Sequence, residues 1–314
     1  FLTAGERAWG VNGVDRGVQL LDRTNWFWAS MSQPSVPLTV VEDGTGLIGE
    51  TQDDYYWAFV WYNKTTGDQS ATITLPSVPL IGGIQPLKKF LLTRGEQPLP
   101  HEGVTHWRVF RRSASDAFYR VTGDPAVADL TLDPDGFSYI PVDVLQITDN
   151  IPTAQLGEEL STEDFLPMPI LSTIVEIAGS ILGSAVGDAA GRVFWNVPGF
   201  PGAWTLNGFQ ELGAGDTEPI RAISGFASRA WAGRAKSWFE GQRAEEGWIF
   251  QEREMGSGSI SHAGTVIGRG AMYFPAPEGF FSMEGGGLPH SVSDLMQPRW
   301  ETFDKGLLRD VIRD

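Results

Sequence analysis

The chain has 314 residues, a formal net charge of −16, no cysteine, and a hydrophobic content of 41%, which is sufficient for a buried core. Its length corresponds to roughly two domains of 100–200 residues each. The absence of cysteine excludes disulfides and thiolate metal sites, and the negative charge argues against a protein that grips nucleic-acid phosphates. The 38 glycines and 20 prolines favour many short strands and turns over long helices.

The first 37 residues have the pattern of short antiparallel strands. Asn12-Gly13 supplies the positive φ that a two-residue hairpin turn requires. Trp26 and Trp28 share one strand face and are interpreted as core residues, because bulky aromatic side chains dominate core burial. The predicted strands are Ala8–Val11, Gly17–Leu21 and Asn25–Ala29. We interpret residues 1–37 as elements of a first β-propeller blade.

Residues 38–165 differ from the first segment in their pattern of strands, and this pattern predicts an inserted β-sandwich. About seven strands over roughly 120 residues are typical of an immunoglobulin- or fibronectin-like sandwich. The strand Asp54–Tyr62 is apolar or aromatic on both faces, which is typical of a central strand. The predicted strands are Leu47–Ile48, Asp54–Tyr62, Ser70–Leu75, Lys89–Leu92, Thr105–Arg111, Phe118–Val121 and a last one near Gln146–Asp149.

Residues 166–298 have the same pattern of short strands and turns as the first segment, and we interpret them as further propeller blades. The apolar stretch Phe165–Gly187, whose only charge is Glu176, has the length of a membrane span. Pro167 and Pro169 at its start and the serines within it favour two strands instead, Thr173–Ala178 and Ile181–Val186. No membrane insertion is therefore expected.

The rest of this segment repeats strands and turns at even intervals. Between Glu252 and Leu288 three apolar runs, His262–Ile267, Ala271–Phe274 and Gly279–Met283, are separated by glycine and proline, which predicts an antiparallel meander. Three or four strands every 40–50 residues are the rhythm of propeller blades. Roughly 190 residues outside the insertion then provide about four blades, so the chain is either a fragment or closes its ring in another way. The other strands are predicted at Arg192–Val197, Trp204–Phe209, Ile220–Gly225, Arg229–Gly233, Lys236–Glu240 and Trp248–Glu252.

Residues 299–314 have an amphipathic helical pattern. Apolar side chains recur at Trp300, Phe303, Leu307, Leu308 and Val311, after a proline suited to a helix start. Such a helix packs on its own domain or docks on a neighbouring subunit, and the sequence leaves both open. The expected fold class is therefore all-β: a β-propeller-like domain, an inserted immunoglobulin- or fibronectin-like sandwich and a short C-terminal helix.

A search for catalytic patterns predicts no catalytic, cofactor-binding or metal-binding residue. No nucleophile elbow, zinc-protease helix or phosphate loop is present. Weaker patterns are a histidine pair five residues apart, the start of a calcium loop, and two acidic pairs that could serve glycoside hydrolysis. Each is more common as a turn or a solvated loop, so we do not expect an enzyme. These patterns are His101 with His106, Asp133–Gly136, Glu42-Asp43 and Asp53-Asp54.

The order of these motifs resembles the β-propeller proteins of tailed bacteriophage tails and necks, of the nozzle, tail-tube or stabilisation type, several of which carry a fibronectin-like insertion. Gly258–Phe281 resembles the family's glycine-bounded meander, with Ile260 where the family often has cysteine. The other matching segments are Ala8–Gly13 with Trp26, Tyr55–Gly67, Trp107–Arg111 with Phe118–Val121, Thr148–Leu160, and Gly191–Trp195 with Pro201 and Trp204.

The resemblance implies a non-enzymatic virion protein, assembled in the host cytoplasm, that extends or closes the DNA conduit. It implies a homo-oligomeric ring, expected to be a hexamer, that contacts other tail or portal-adaptor proteins. DNA would pass through the lumen without specific binding, since an acidic wall repels phosphates. Two alternatives stay open: a receptor- or glycan-binding tail protein that uses Trp26, Trp57 or Trp248 as stacking platforms, and a propeller glycosidase with an acid pair at its mouth.

Overall fold

A computed structural model describes residues 2–4, 7–20, 26–49, 54–74, 78–79, 87–113, 117–121, 139–160, 165–213, 218–245, 247–253 and 255–293. The predicted helix at 299–314 lies outside this range. The chain divides into two compact units: a discontinuous one, Phe1–Ala29 with Met168–Asp314, and a continuous one, Ser30–Pro167. The described residues form strands and three short 3-10 turns and no α-helix, so the molecule is all-β, as the composition predicts.

The discontinuous unit contains four antiparallel sheets of four strands, each with its strands in chain order, which is the arrangement of propeller blades. We call them blades 1 to 4. Blade 1 has β1 (Leu2–Ala4), β2 (Arg7–Gly10), β3 (Val18–Leu20) and β4 (Trp26–Trp28). Blade 2 has β14 (Leu171–Ile177), β15 (Ser180–Ala185), β16 (Arg192–Asn196) and β17 (Trp204–Glu211). Blade 3 has β18 (Ala222–Phe226), β19 (Arg229–Gly233), β20 (Trp238–Ala244) and β21 (Gly247–Arg253), and blade 4 has β22 (Val266–Gly268), β23 (Ala271–Ala276), β24 (Gly279–Glu284) and β25 (His290–Ser291).

Blades 2, 3 and 4 join their first two strands by the same two-residue turn. Both turn residues have positive φ: 52° and 76° at Ala178-Gly179, 52° and 60° at Ala227-Ser228, and 50° and 79° at Arg269-Gly270. Two consecutive left-handed residues match the twist of a hairpin, as in type I′ turns. These three blades therefore share one turn conformation, although the residues of their turns differ.

Successive blades pack face to face through separate apolar clusters. Between blades 1 and 2 the largest members are Trp9 and Trp204, and between blades 3 and 4 they are Trp231 and Trp238. Between blades 2 and 3, Trp195 and Trp248 lie among Leu182, Val193, Ile223, Phe239 and Phe250. Each inner blade thus buries both faces, which explains why its strands are apolar on both sides.

The continuous unit, residues 30–167, is a two-sheet sandwich. One sheet has the order β11-β10-β6-β7, with β12 paired to β10 and β8 paired to β6, and the other has the order β13-β9-β5. The strands are β5 (Thr39–Ile48), β6 (Asp54–Tyr62), β7 (Ile73–Thr74), β8 (Val78–Pro79), β9 (Lys88–Thr93), β10 (His106–Ser113), β11 (Tyr119–Arg120), β12 (Ile140–Pro141) and β13 (Gln146–Asp149). The 3-10 turns are Pro100–Glu102, Thr153–Gln155 and, in blade 2, Gly187–Ala189.

The core of the sandwich lies between its two sheets. Trp57, Phe59 and Trp107 of the larger sheet pack with Phe90 and Leu92 of the smaller one, and all five are fully buried. The register pairs Phe59 with Val109 and Trp57 with Arg111, so alternate residues of β6 and β10 point to the core and the others to the opposite face. The opposite face is also largely covered, since Ala58, Val60 and Phe110 on it are buried.

The apolar stretch at residues 165–187 forms the hairpin β14–β15, as the strand interpretation predicts. Its turn at Ala178-Gly179 gives both residues positive φ, and Leu182 and Ile181 go to opposite faces, toward blades 3 and 1. In the part of the chain that the structure describes, no helix has the length and hydrophobicity of a membrane span.

The meander after residue 252 is confirmed at its second and third runs but not in the first half of its first run. The chain bends at residues 260–264, and of the first run only Val266 and Ile267 belong to a strand, Val266–Gly268. There, serine and threonine hydroxyls take the place of backbone hydrogen-bond partners on a neighbouring strand. Ser261 Oγ accepts the Gly264 N–H at 3.2 Å, and Thr265 Oγ1 donates to the Ser261 carbonyl at 2.8 Å. Such local side-chain bonds compete with strand pairing.

Candidate functional site

The acidic pairs that the sequence offered for glycoside hydrolysis do not form a described cleft. Glu42 and Asp43 lie in β5 and pair with lysines of β9: Lys88 Nζ is 2.5 Å from Glu42 Oε1, and Lys89 Nζ is 3.1 Å from Asp43 Oδ2. Asp54 begins β6, whereas Asp53 and Asp133–Gly136 lie outside the described residues. Glu42 and Asp43 therefore take part in cross-strand ion pairs between β5 and β9.

The histidine pair does not converge on a metal either. His101 lies in an exposed 3-10 turn, and His106 begins β10, where its Nδ1 is 2.8 Å from Thr105 Oγ1. Burial, and then the charge of Lys64, lower the pKa of His106 from its ordinary value. Among the described residues, no group of three His, Cys, Asp or Glu side chains is close enough to hold a metal ion.

The three tryptophans proposed as stacking platforms have different surroundings. Trp57 has no exposed surface, since it lies in the sandwich core and donates its Nε1–H to Asp149. Trp248 is buried between blades 2 and 3, whereas Trp26 is 45% exposed on β4, so the interpretation of Trp26 as a core residue is wrong. Of the three, Trp26 alone has the exposure that stacking on a sugar requires.

The outer face of the larger sandwich sheet carries a set of arginines interleaved with aromatic rings, which we call the arginine–aromatic face. Its geometry follows from the strand period of two, because the core takes Trp107, Val109 and Arg111 and leaves the intervening residues of β10 on the other side. Neighbouring strands place aromatic rings beside them. The members are Arg108, Arg112 and Arg120 with Tyr56, Tyr62, Phe118 and Tyr139.

One half of this face is closed by an ion-pair cluster. The guanidinium carbon of Arg108 is 4.9 Å from the ring centre of Tyr62, which stacks on Tyr139 at 4.9 Å. Arg108 and Arg120 are both buried and both pair with Glu158. Burial, and then the positive charge of Arg108, lower the pKa of Arg120 from its ordinary value. This half is a structural cluster.

The other half is built around Arg112, near the end of β10. The guanidinium carbon of Arg112 is 4.8 Å from the ring centres of both Tyr56 and Phe118, and among the described residues this arginine has no ion pair and no hydrogen bond from its Nε. Beside it lies a cavity of about 210 Å³. Its lining is Arg112, Ser113, Tyr119, Thr153, Leu156 and Gly157. Ser113 and Tyr119 lie on the core side of the sheet, because Ser113 pairs with Tyr55 and Tyr119 with Arg111, whereas the Arg112 guanidinium lies on the opposite face.

A second candidate surface lies on blade 4. Met272 and Phe274 pack on blade 3. The strand register places Val266, Tyr273 and Phe280 on the opposite face of the sheet. Val266 is 54% exposed, as is Val292, whose N–H binds the Phe280 carbonyl. The first strands of blades 2 and 3 are mostly buried, whereas β22 is mostly exposed. Blade 4 therefore presents an apolar face of the kind that the inner blades cover.

Sequence reasoning missed the cavity beside Arg112. The alternation Arg108, Phe110, Arg112 along a strand is a detectable signal, because it places two cations on one sheet face. The hydroxyl groups come from β10, β11 and the turn at Thr153–Gln155, which are brought together only by folding. No protein-family model and no curated protein matches this chain.

Proposed function

We propose that this protein is a structural, non-enzymatic subunit of a bacteriophage tail or neck, which assembles into a ring that extends or closes the DNA conduit. The proposal rests on one observation above all: a two-sheet sandwich interrupts the chain between the first and second of four consecutive four-stranded sheets. This is the order of elements that the sequence resemblance implies.

Charge supports passage of DNA without binding. The chain carries 39 acidic and 23 basic side chains. A lumen lined by a surface of this sign repels the phosphate backbone, so DNA slides without forming the salt-dependent contacts that hold nucleic-acid-binding proteins in place.

The apolar face of blade 4 supports association between copies. Exposed valines at 266 and 292, with Tyr273 and Phe280, have the same character as the faces that blades 2 and 3 bury against one another. We propose that this face packs against a different surface of a second copy. A head-to-tail contact of this kind closes into a ring when its rotation permits.

Sedimentation and negative-stain imaging of the purified protein test this function. We expect closed rings, most simply hexamers. Val266→Glu should shift the sedimenting species toward the monomer, because a charge on an apolar contact is not solvated. Val41→Glu is the matched control, since Val41 is 52% exposed in the sandwich. A wild-type protein that stays monomeric at high concentration and does not join virions would contradict the proposal.

A further inference from the structure

We propose that the exposed face of blade 4 packs on the exposed face of blade 1 of a second copy of this chain. The proposed function supplies the premise that copies associate, and the strand register identifies the surface that receives blade 4. The register does so because it assigns equivalent positions in the four blades and shows which of them are buried within one copy.

The first two strands pair in the same way in all four blades. In each blade the last residue of the first strand pairs with the first residue of the second strand, so positions can be compared from blade to blade. Neighbouring residues of a strand point to opposite faces, so the second and third residues of the second strand report the two faces of a blade. The second residues are Ala8, Ile181, Ala230 and Met272, and the third residues are Trp9, Leu182, Trp231 and Tyr273.

The third residue marks the face that a blade turns toward the next blade, which we call the forward face. Trp9 packs between blades 1 and 2, Leu182 between blades 2 and 3, and Trp231 between blades 3 and 4. All three are fully buried. Tyr273 of blade 4 is only half-buried, and among the described residues no sheet follows blade 4. The forward face of blade 4 is therefore the exposed one.

The second residue marks the face that a blade turns toward the preceding blade, which we call the backward face. Ile181, Ala230 and Met272 are fully buried against blades 1, 2 and 3, respectively. Ala8, the equivalent residue of blade 1, is only half-buried. The exposed face of blade 1 is therefore its backward face.

The outer strands show the same difference between blade 1 and the inner blades. Counting pairs across the third and fourth strands places Trp26 of β4 where blade 3 has Phe250 of β21. Phe250 is 4% exposed because it packs on blade 2, whereas Trp26 is 45% exposed. In the same way Val18, which is half-buried, corresponds to the buried Phe239. Blade 1 thus exposes apolar residues at positions that blade 3 buries, and such exposed apolar faces mark interaction sites.

The two exposed faces are of opposite kind, and this identifies the partner as a second copy. Each of the three interfaces within the chain joins a forward face to a backward face. Blade 4 of one copy on blade 1 of the next continues that packing. A contact between two blade 4 faces would join two forward faces, which has no counterpart in the chain. One face of each kind per copy is what a head-to-tail assembly requires.

The rotation at this contact determines how many copies close the ring. A rotation equal to the step between neighbouring blades closes two copies of four blades into one eight-bladed propeller, a common size for this fold. A hexamer requires a different rotation between the same two faces. The number of copies is therefore a separate property from the identity of the faces.

Mixing two full-length variants tests the contact. Val266→Glu places a charge on the forward face of blade 4 and leaves blade 1 intact, whereas Trp26→Glu places a charge on the backward face of blade 1 and leaves blade 4 intact. Each variant alone should sediment as a monomer, because a charge on an apolar contact is not solvated. An equimolar mixture should sediment as a dimer, because one intact pair of faces remains. Val41→Glu, in the sandwich, should form rings like the wild type.

Cysteine cross-linking provides a second measurement that does not require a charge on either face. The chain has no cysteine, so only engineered positions react. A mixture of Val266→Cys and Ala8→Cys should give a covalent dimer on oxidation, because the equivalent residues Val175 and Ala230 pack in one cluster between blades 2 and 3. A mixture of Val266→Cys and Val41→Cys is the matched control and should give none. The double variant Ala8→Cys, Val266→Cys should link all copies of a ring, and the size of the product counts them.

Several results would overturn the proposed contact. A covalent dimer of Val266→Cys alone would place blade 4 on blade 4, and a link within single chains of the double variant would show closure inside one copy. Unchanged rings of Trp26→Glu would show that blade 4 has another occupant, such as residues 299–314. Glutamate variants that stay monomeric when mixed would also contradict it. If the wild type forms rings in these cases, the proposed function stands and only this contact is wrong, whereas a monomeric wild type would contradict both.

Discussion

Arg111 and Asp149 form an ion pair with no exposed surface between the two sheets of the sandwich: Arg111 Nη1 lies 2.8 Å from Asp149 Oδ2. The same oxygen accepts the Trp57 Nε1–H at 2.8 Å, and Arg111 Nη2 donates to the Ile151 carbonyl at 2.6 Å. One strand of each sheet contributes a charge, β10 and β13. The pair therefore fixes how the two sheets face one another.

We predict that Asp149→Asn destabilises the sandwich strongly, although it preserves shape. The substitution leaves the Arg111 charge buried without a counter-charge, and breaking a buried pair in this way costs about 3–5 kcal/mol. Urea unfolding followed by tryptophan fluorescence measures the loss. The double variant Arg111→Met, Asp149→Leu should recover much of it, because no buried charge remains. A loss equal to the sum of the two single variants would contradict this explanation.

We predict that Gln210→Ala loosens blade 2 from blade 3. The Gln210 side chain acts as a backbone substitute between β17 and β21, since Nε2 donates to the Phe250 carbonyl at 2.9 Å and Oε1 accepts the Phe250 N–H at 2.7 Å. Loss of two such bonds costs about 1–3 kcal/mol of unfolding free energy. Amide exchange of Phe250 should accelerate as well. The control is Gln251→Ala, at the exposed next position. It should change neither the free energy of unfolding nor the amide exchange rate of Phe250.

We predict opposite effects of glycine at two equivalent blade turns. Ser228 has φ of 60° and Gly179 has φ of 76°. In this left-handed backbone conformation a residue with a Cβ is destabilised by roughly 1–2 kcal/mol, whereas glycine is not. Ser228→Gly should therefore raise the thermal unfolding temperature and Gly179→Ala should lower it. No heavy atom lies within 4 Å of a Cβ built at Gly179, so a decrease there reports backbone strain and not a clash.

We predict that stability falls on acidification partly through His262. Burial lowers the pKa of His262 below its ordinary value of 6.5, and its Nδ1 accepts the Ile223 N–H at 3.4 Å. Above pH 6.5 the ring is neutral in both the folded and unfolded states. As the pH falls from 6.5 toward the lower folded pKa, the unfolded state binds the proton first, and stability is lost.

The unfolding temperature measured between about pH 8 and pH 5 tests this contribution. His262→Gln keeps a side-chain acceptor but cannot be protonated. Its unfolding temperature should therefore decrease less between about pH 8 and pH 5 than that of the wild type. His106 should contribute in the same direction, since burial lowers its pKa too. His290→Gln, at an exposed position of β25, is the control. Identical pH profiles for wild type and His262→Gln would refute the prediction.

Local chemistry predicted most of the strands. Strand β6 was recognisable because its core residues, such as Trp57 and Phe59, alternate with others in an unbroken apolar run. The hairpin of β14 and β15 was recognisable because glycine and serine interrupt an apolar stretch at residues 179–180. The start of the meander was mispredicted, since the hydroxyls of Ser261 and Thr265 satisfy the backbone locally in a way that hydrophobic periodicity does not detect.

By itself the sequence determined the all-β class, the turn positions and the acidic surface, because strand period, glycine placement and charge are local or additive properties. Only the tertiary structure decided which side chains meet. Arg112 is separated by about 40 residues of chain from Thr153 and by more than 50 from Tyr56, yet β6, β10 and the turn after β13 bring all three to one end of the sandwich. Long-range strand pairing has no signature within a short window, so this cavity depends on the register between distant strands.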